Sequence, residues 1–146
     1  MSHSYQVKID WIEGRKGFLT SEVLDSHIQV VTPPEFPNGI AGQWSPEHLF
    51  VASVNSCFMT TFLAIADNSK LEFSRFECNA VGTLDRVEGK FQITQIELLP
   101  ILAIFDHALK EKAMRVLEMS EKACLISNSV LSKVILEPTI TVAFLP

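Results

Sequence analysis

One long apolar stretch, residues 45–67, constrains the fold of this chain more than any other feature. Ser45 is a typical helix N-cap, Pro46 suits the first helical position, and Glu47 suits the positive end of the helix dipole. The sequence therefore predicts a helix over about 46–67. Apolar side chains surround this helix instead of forming one stripe, which predicts that it is central and buried. The large ones are Leu49, Phe50, Val51, Val54, Phe58, Met59, Phe62, Leu63 and Ile65.

A membrane span is the alternative interpretation of so apolar a helix. Small polar residues interrupt the apolar run, and the flanking sequence is typical of a sheet, so we do not expect the helix to cross a membrane. The N-terminus lacks the basic and apolar segments of a secretory signal, which predicts a cytoplasmic protein. The interrupting residues are Ser53, Asn55, Ser56, Thr60 and Thr61.

Alternating side chains predict a small sheet before the helix. Residues 5–11 alternate apolar and polar positions as a half-buried strand does, and residues 18–23 and 27–31 are typical of two further strands in an antiparallel meander. Residues 32–44 are rich in proline and glycine, which predicts a connecting loop.

The sequence after the helix predicts a strand pair, a second helix and a closing strand. Residues 74–86 and about 90–104 form the pair, and a phase shift between Ile93 and Ile96 indicates a bulge. Asp106 is expected to cap a helix through about residue 122. A turn with a short helical continuation follows Cys124, and residues 139–144 predict the closing strand. This order is typical of the α+β class, in a single domain over residues 1–146.

Composition excludes some classes of function. A chain of 146 residues with 47% hydrophobic content can bury a sizeable core. The net charge is −5 and the pI is near 5.3. Because nucleic-acid binders need clustered Lys and Arg, and no such run occurs, we expect no nucleic-acid partner.

Three cysteines suggest thiol chemistry in a reducing compartment. Cys78 lies on the apolar face of its predicted strand, which predicts a buried and inert thiol. Cys57 lies within the strip of small polar residues on the long helix, where it either fills space or meets a small molecule in a slot. Cys124 ends the second helix as a core residue or as a partner thiol. The Cys and His spacing predicts no metal site.

Two segments together resemble the OsmC/Ohr family of thiol-dependent peroxidases. They are "SPEHLFVASVNSCF" (residues 45–58) and "ACLISNSV" (residues 123–130). The family's helix carries a Pro-Glu opening and a cysteine ten residues after the glutamate, and a second cysteine begins a short motif near the C-terminus. The order of elements is also similar. The resemblance implies an OsmC-like fold, with antiparallel sheets, a long buried central helix, a second helix and an intertwined homodimer.

The resemblance also implies roles for four residues. Cys57 would attack the peroxide, and Cys124 would resolve the resulting sulfenic acid as a disulfide. Arg15 resembles the arginine of a Gly-Arg-x-Gly turn in this family and would stabilise the Cys57 thiolate. Glu47 would orient that guanidinium through a bidentate pair.

The distance between two of these residues leads to a prediction about assembly. Ten residues of helix, from Glu47 to Cys57, rise about 15 Å, which is too far for one arginine to touch both from outside the helix. Either the helix start bends, or Arg15 and Glu47 serve the site from a second subunit. We expect the second arrangement, in a homodimer whose long helices pack near a two-fold axis.

The resemblance implies reduction of organic hydroperoxides, without a cofactor, followed by re-reduction by a dithiol such as a lipoyl group. We expect an apolar pocket from Phe50, Phe58 and Phe62 to favour organic peroxides over hydrogen peroxide. Two alternatives stay open at this point. One is an OsmC-like protein that binds a small ligand and whose cysteines do not turn over. The other is a thiol redox sensor.

Overall fold

The computed structural model describes residues 1–143 and begins with a three-stranded antiparallel sheet. Its strands are β1 (Lys8–Glu13), β2 (Lys16–Thr20) and β3 (Ile28–Val31), in the order β1-β2-β3. These strands belong to the first of two compact units, residues 1–50, and the second unit starts at Val51. The prediction that β1 is half-buried is wrong for this chain, because all six of its residues are exposed. Within its own unit, β1 is an edge strand with an uncovered apolar face.

A tight loop connects this sheet to the long helix. Gly39 approaches the carbonyl of Pro33 so closely that a Cβ atom at this position would clash with its oxygen. The Val31 N–H then donates to the Trp44 carbonyl at 2.9 Å. Ser45 is fully buried, and its hydroxyl accepts from the His48 N–H at 3.2 Å. This contact is the predicted N-cap, and α1 runs from Pro46 to Asn68.

A long β-hairpin dominates the second unit. It consists of β4 (Phe73–Val87) and β5 (Lys90–Ile104), joined by a two-residue turn in which Glu88 and Gly89 both have positive φ. The ladder pairs Thr83 with Gln95 but Leu84 with Ile93, so one extra residue lies on β5 at position 94. The predicted bulge is therefore confirmed.

The second helix and two short strands complete this unit. Asp106 accepts from the Ala108 N–H at 2.9 Å and caps a short 3₁₀-helix, His107–Leu109, before α2 (Lys110–Ala123). After a 3₁₀-helix at Ser127–Ser129 come β6 (Lys133–Leu136) and β7 (Thr139–Val142).

Both closing strands pair in parallel with β5, so this sheet is mixed and not purely antiparallel. The parallel pairing follows from the crossover through α2. The sequence pattern did not indicate β6. The predicted closing strand ends at Phe144, which lies outside the described residues.

One face of α1 packs on the hairpin. Its buried residues recur every four positions: Val54, Phe58, Phe62 and Ala66. The Phe62 ring lies 4.7 Å from Phe76 and 5.2 Å from Phe73, measured between ring centroids. The long helix is confirmed in its extent, while burial within this chain is confined to one stripe. Met59 and Leu63, off that stripe, are 40% and 43% exposed.

Length and composition alone would allow α1 to cross a membrane, and it is the one helix among residues 1–143 of which this holds. The core helix of a globular protein meets the same criteria. The packing of Phe58 and Phe62 against β4 agrees with that second interpretation.

Candidate functional site

The fold brings Cys57 and Cys124 together. Cys57 is half-buried on α1, whereas Cys124 is fully buried at the C-terminal cap of α2. Both are free thiols, and their side chains are in hydrogen-bond contact. The Cys124 thiol also donates to the Val54 carbonyl, with 4.0 Å between sulfur and oxygen. Cys124 is thus a buried core residue that also lies beside Cys57, and its role as a partner thiol stays a prediction.

Hydrogen-bond donors surround the sulfur of Cys57. Burial raises the pKa of this thiol, but donors from the Ile126 N–H, the Cys124 thiol, the Thr61 hydroxyl and the Leu125 N–H together lower it below its ordinary value. The Thr61 oxygen lies 3.8 Å from the sulfur. No cation is among the groups that lower this pKa. The thiolate is thus stabilised by neutral donors.

The turn after α2 supplies two of these donors. The Asn128 N–H donates to the Cys124 carbonyl at 3.1 Å, and the Ser129 N–H donates to the Ile126 carbonyl at 2.9 Å. The Ser129 hydroxyl also donates to the Leu125 carbonyl at 2.8 Å. These short-range bonds turn the chain tightly and direct the backbone N–H groups of residues 125 and 126 at Cys57.

The pKa of the Cys124 thiol is shifted in the opposite direction, above its ordinary value. Burial raises the pKa of its thiol, Ser127 lowers it through its hydroxyl and its N–H, and the adjacent Cys57 raises it further. The Ser127 hydroxyl is buried and makes no hydrogen bond of ordinary geometry, only this weak polar contact with the thiol. The pKa values of the two thiols therefore move apart, and Cys57 is the one that loses its proton more readily.

Cys78 is outside this arrangement. Burial raises the pKa of its thiol to about 11, against a small opposing effect from the Leu99 backbone. Across the sheet Cys78 pairs with Pro100, whose nitrogen carries no hydrogen. The Cys78 carbonyl instead accepts from the Asn55 amide at 2.9 Å. The raised pKa agrees with the prediction of an inert thiol, whereas the prediction that Cys78 is buried is wrong, because the residue is only half-buried on β4.

The two other predicted residues lie in the first unit. Arg15 is exposed in the turn between β1 and β2, and its carbonyl accepts from the Thr32 N–H at 3.2 Å. Glu47 is in the first turn of α1, and its Oε2 atom is buried without a hydrogen-bond partner. Among residues 1–143 neither side chain takes part in an ion pair, so the expected Arg15–Glu47 pair is not formed within this chain. Their roles stay predictions.

The predicted aromatic pocket is not present as expected. Phe58 and Phe62 are fully buried against β4 and belong to the core, because α1 turns this face to the hairpin. Within residues 1–143, no group of three His, Cys, Asp or Glu side chains could hold a metal ion.

The sequence pattern did not indicate the hydrogen-bond donors at Cys57. Thr61 was detectable in principle, since a residue four positions along a helix lies over the same face. The N–H groups of Leu125 and Ile126 could not be predicted, because a backbone donor does not depend on which side chain the residue carries. Ser127 gave a turn signal but no indication of its burial beside Cys124.

The sequence model of the family described as OsmC-like protein matches residues 39–138. Among curated proteins, none matches the sequence. Several solved structures are similar in fold. An OsmC-like protein of unknown function from Vibrio cholerae has 23% identity and a TM-score of 0.83, with 94% of this chain and 99% of that chain covered.

Two further structures show the same likeness. An OsmC-like protein from Mycoplasma pneumoniae has 16% identity and a TM-score of 0.80, and the match covers 97% of this chain and 99% of that one. An organic hydroperoxide resistance protein from Elizabethkingia anophelis has 21% identity and a TM-score of 0.75, with coverages of 98% and 100%.

Proposed function

Since the chain belongs to the OsmC-like protein family, we propose that it is a thiol-dependent peroxidase that reduces organic hydroperoxides through Cys57 and Cys124. One observation carries the proposal: two free thiols are in contact, and the pKa of one is lowered while the pKa of the other is raised. A peroxidase of this type needs one thiolate to attack and a second thiol to resolve. The similarity to an organic hydroperoxide resistance protein supports a peroxide-related role.

The first step is nucleophilic attack by the Cys57 thiolate on the distal oxygen of the peroxide. The O–O bond breaks, two electrons pass from sulfur to the peroxide, and the leaving alkoxide takes up a proton to become an alcohol. Cys57 becomes a sulfenic acid. The donors from Thr61, Leu125 and Ile126 stabilise the thiolate that starts this step.

The second step forms a disulfide. The Cys124 sulfur attacks the Cys57 sulfur, the S–O bond of the sulfenic acid breaks, and hydroxide leaves as water with the thiol proton of Cys124. Overall, one peroxide and two thiols give one alcohol, one water and one disulfide. Because Cys124 already touches Cys57, this step competes well with overoxidation to the sulfinic acid.

A dithiol then restores the two thiols by disulfide exchange, and family resemblance favours a lipoyl group as this donor. The proposal places the protein in the cytoplasm, where a reducing environment maintains such donors. It requires no cofactor, membrane or nucleic acid.

The proposal includes a homodimer, and two features of the first unit support it. Val7, Ile9 and Trp11 are 63%, 56% and 77% exposed near or on β1, so a partner that covers them would remove apolar area from water. The buried and unpartnered Oε2 atom of Glu47 lacks a donor, which an arginine at an interface would supply. In this arrangement Arg15 and Glu47 serve the site of the partner subunit.

Analytical ultracentrifugation at micromolar protein tests the assembly. We expect a dimer, and Trp11→Lys should weaken it by placing a charge in the covered face. Lys8→Glu, a charge change at an exposed residue of the same strand, is a matched control. A monomer with full peroxidase activity would contradict this part of the proposal.

Consumption of cumene hydroperoxide and hydrogen peroxide with a dithiol donor tests the reaction. We expect turnover with a preference for the organic peroxide, complete loss in Cys57→Ser, and retention in Cys78→Ser. Cys124→Ser should form the alcohol once and then accumulate Cys57 sulfinic acid, visible by mass spectrometry. If neither peroxide is consumed and no Cys57–Cys124 disulfide forms, ligand binding without turnover replaces the proposal.

A further inference from the structure

Two adjacent threonines on α1 use their hydroxyl groups differently. Thr60 donates to the Cys57 carbonyl at 3.1 Å, which is the usual backbone contact of a threonine within a helix. The Thr61 hydroxyl instead lies 3.8 Å from the Cys57 sulfur. The same residue, Cys57, is thus contacted at its backbone by one threonine and at its side chain by the next.

We propose that Thr61 is a positioning residue for the Cys57 thiolate, and that it completes a set of neutral donors which holds the sulfur. The inference deepens the proposed function and rests on it for the role of Cys57 as the attacking thiol. The set comprises the Thr61 hydroxyl on α1 and the N–H groups of Leu125 and Ile126 in the turn after α2.

The geometry of α1 explains why Thr61 can act in this way. Residues four apart on a helix lie one above the other, so the hydroxyl at position 61 meets the side chain at position 57. A threonine hydroxyl has a single hydrogen to donate. The Cys57 carbonyl already accepts from the Thr60 hydroxyl. The Thr61 hydroxyl therefore need not donate to that carbonyl, and its hydrogen is available for the Cys57 sulfur.

Donors from two separate elements fix the sulfur in position. Thr61 approaches along α1, while the N–H groups approach from the turn that follows Cys124. A sulfur held from both sides loses rotational freedom before the peroxide arrives, and a well-oriented nucleophile lowers the barrier to attack. Thr61 acts through Cys57 and need not touch the peroxide.

Stabilisation by neutral donors has an observable signature. A thiolate that depends on an exposed guanidinium loses stabilisation as salt screens the charge, since the Debye length falls to about 3 Å at 1 M salt. Hydrogen bonds from a hydroxyl and from backbone N–H groups are short-range contacts and respond far less. The inference therefore predicts that the part of Cys57 reactivity that depends on Thr61, measured as the ratio of the wild-type rate to the Thr61→Val rate, is nearly independent of salt.

The test compares three variants by the rate at which iodoacetamide alkylates Cys57, followed by peptide mass spectrometry from about pH 5 to about pH 9. Thr61→Val preserves shape and removes the donor, Thr61→Ser retains it, and Thr60→Val is the adjacent control. In Thr61→Val we expect the rate profile to move to higher pH, with a loss on the order of fivefold on its acidic side. Thr61→Ser should keep the original profile, and Thr60→Val should leave it unmoved.

An unchanged profile in Thr61→Val would overturn the inference, and so would an equal change in Thr60→Val. A ratio of the wild-type rate to the Thr61→Val rate that falls strongly in 1 M salt would also overturn it, because a short-range neutral donor is not screened by salt. Circular dichroism of each variant verifies the fold, and Thr61→Ser keeps the test decisive if the valine variant is unstable. Because alkylation needs no peroxide, a shifted profile in a protein without turnover would refute the proposed function and leave the thiolate set standing.

Discussion

Cys57 and Cys78 are the same residue type, both half-buried in the second unit, yet their thiols differ in chemistry. Burial raises the pKa of each. At Cys57, donors from a turn, a hydroxyl and a second thiol reverse that effect, whereas Cys78 receives only a small opposing effect from the Leu99 backbone and its pKa reaches about 11. Partial burial therefore does not distinguish the two thiols, whereas the number of hydrogen-bond donors directed at each sulfur does.

Alkylation at near-neutral pH is the strongest test of this comparison. A thiol with a pKa of about 11 is ionised to about one part in ten thousand at neutrality, while a lowered pKa leaves Cys57 far more ionised. We therefore expect iodoacetamide to label Cys57 at least about a hundredfold faster than Cys78. As pH falls through the pKa of Cys57, its labelling should slow because the thiolate becomes protonated.

Labelling of the unfolded protein is the matched control for this measurement. In a denaturant the two cysteines lose their surroundings, and their rates should converge. Similar alkylation rates for Cys57 and Cys78 in the folded protein would contradict this prediction, because they would show that the donors around Cys57 do not lower its pKa in solution.

A substitution beside Cys78, with a smaller expected effect, tests whether the surroundings of Cys57 and Cys78 are independent of each other. Asn55 on α1 donates to the carbonyl of Cys78, opposite Pro100. Asn55→Ala removes this donor from a partly buried carbonyl, so we expect a loss of about 1–2 kcal/mol in the free energy of unfolding. The alkylation rate of Cys57 should not change. Denaturant titration and peptide mass spectrometry measure the two quantities.

Ser56→Ala provides the control for that loss of stability. The Ser56 hydroxyl is exposed and donates to the Ser53 carbonyl within the same helix, so its removal should change stability by less than about 0.5 kcal/mol. If Asn55→Ala also slows the labelling of Cys57, the surroundings of the two cysteines are coupled through α1 and the comparison needs revision.

Much of the fold could be predicted because local signals agree with it. Ser45 and Asp106 are helix caps in sequence and in structure. The phase shift in β5 corresponds to a bulge. Each of these features depends on neighbours within a few residues, which a pattern can reveal.

Other features depend on distant parts of the chain and left no local signal. The four residues of β6 become a strand only because β5 offers them an edge. The apolar face of β1 has the alternation of a half-buried strand, yet nothing in its own unit covers it. A pattern shows that a face is apolar and does not show which surface covers it.

The candidate site shows the same division. The resemblance of two segments to the OsmC/Ohr family implied the pair of Cys57 and Cys124, and in the structure their side chains are in contact. Two of the four donors that lower the pKa of Cys57 are backbone N–H groups, those of residues 125 and 126. Every residue except proline carries such a group, so only the folded turn reveals which of them point at the sulfur.

The turn after α2 has a consequence for the reduction potential of the proposed disulfide. Its N–H groups stabilise a charged sulfur, which exists when Cys57 is reduced and is absent in the disulfide. They therefore favour the reduced pair and move its potential toward more oxidising values, by about 30 mV for each 1.4 kcal/mol of stabilisation. A disulfide with a more oxidising potential is reduced more readily by a dithiol. The contacts that stabilise the Cys57 thiolate for attack therefore also favour the return of the pair to its reduced state.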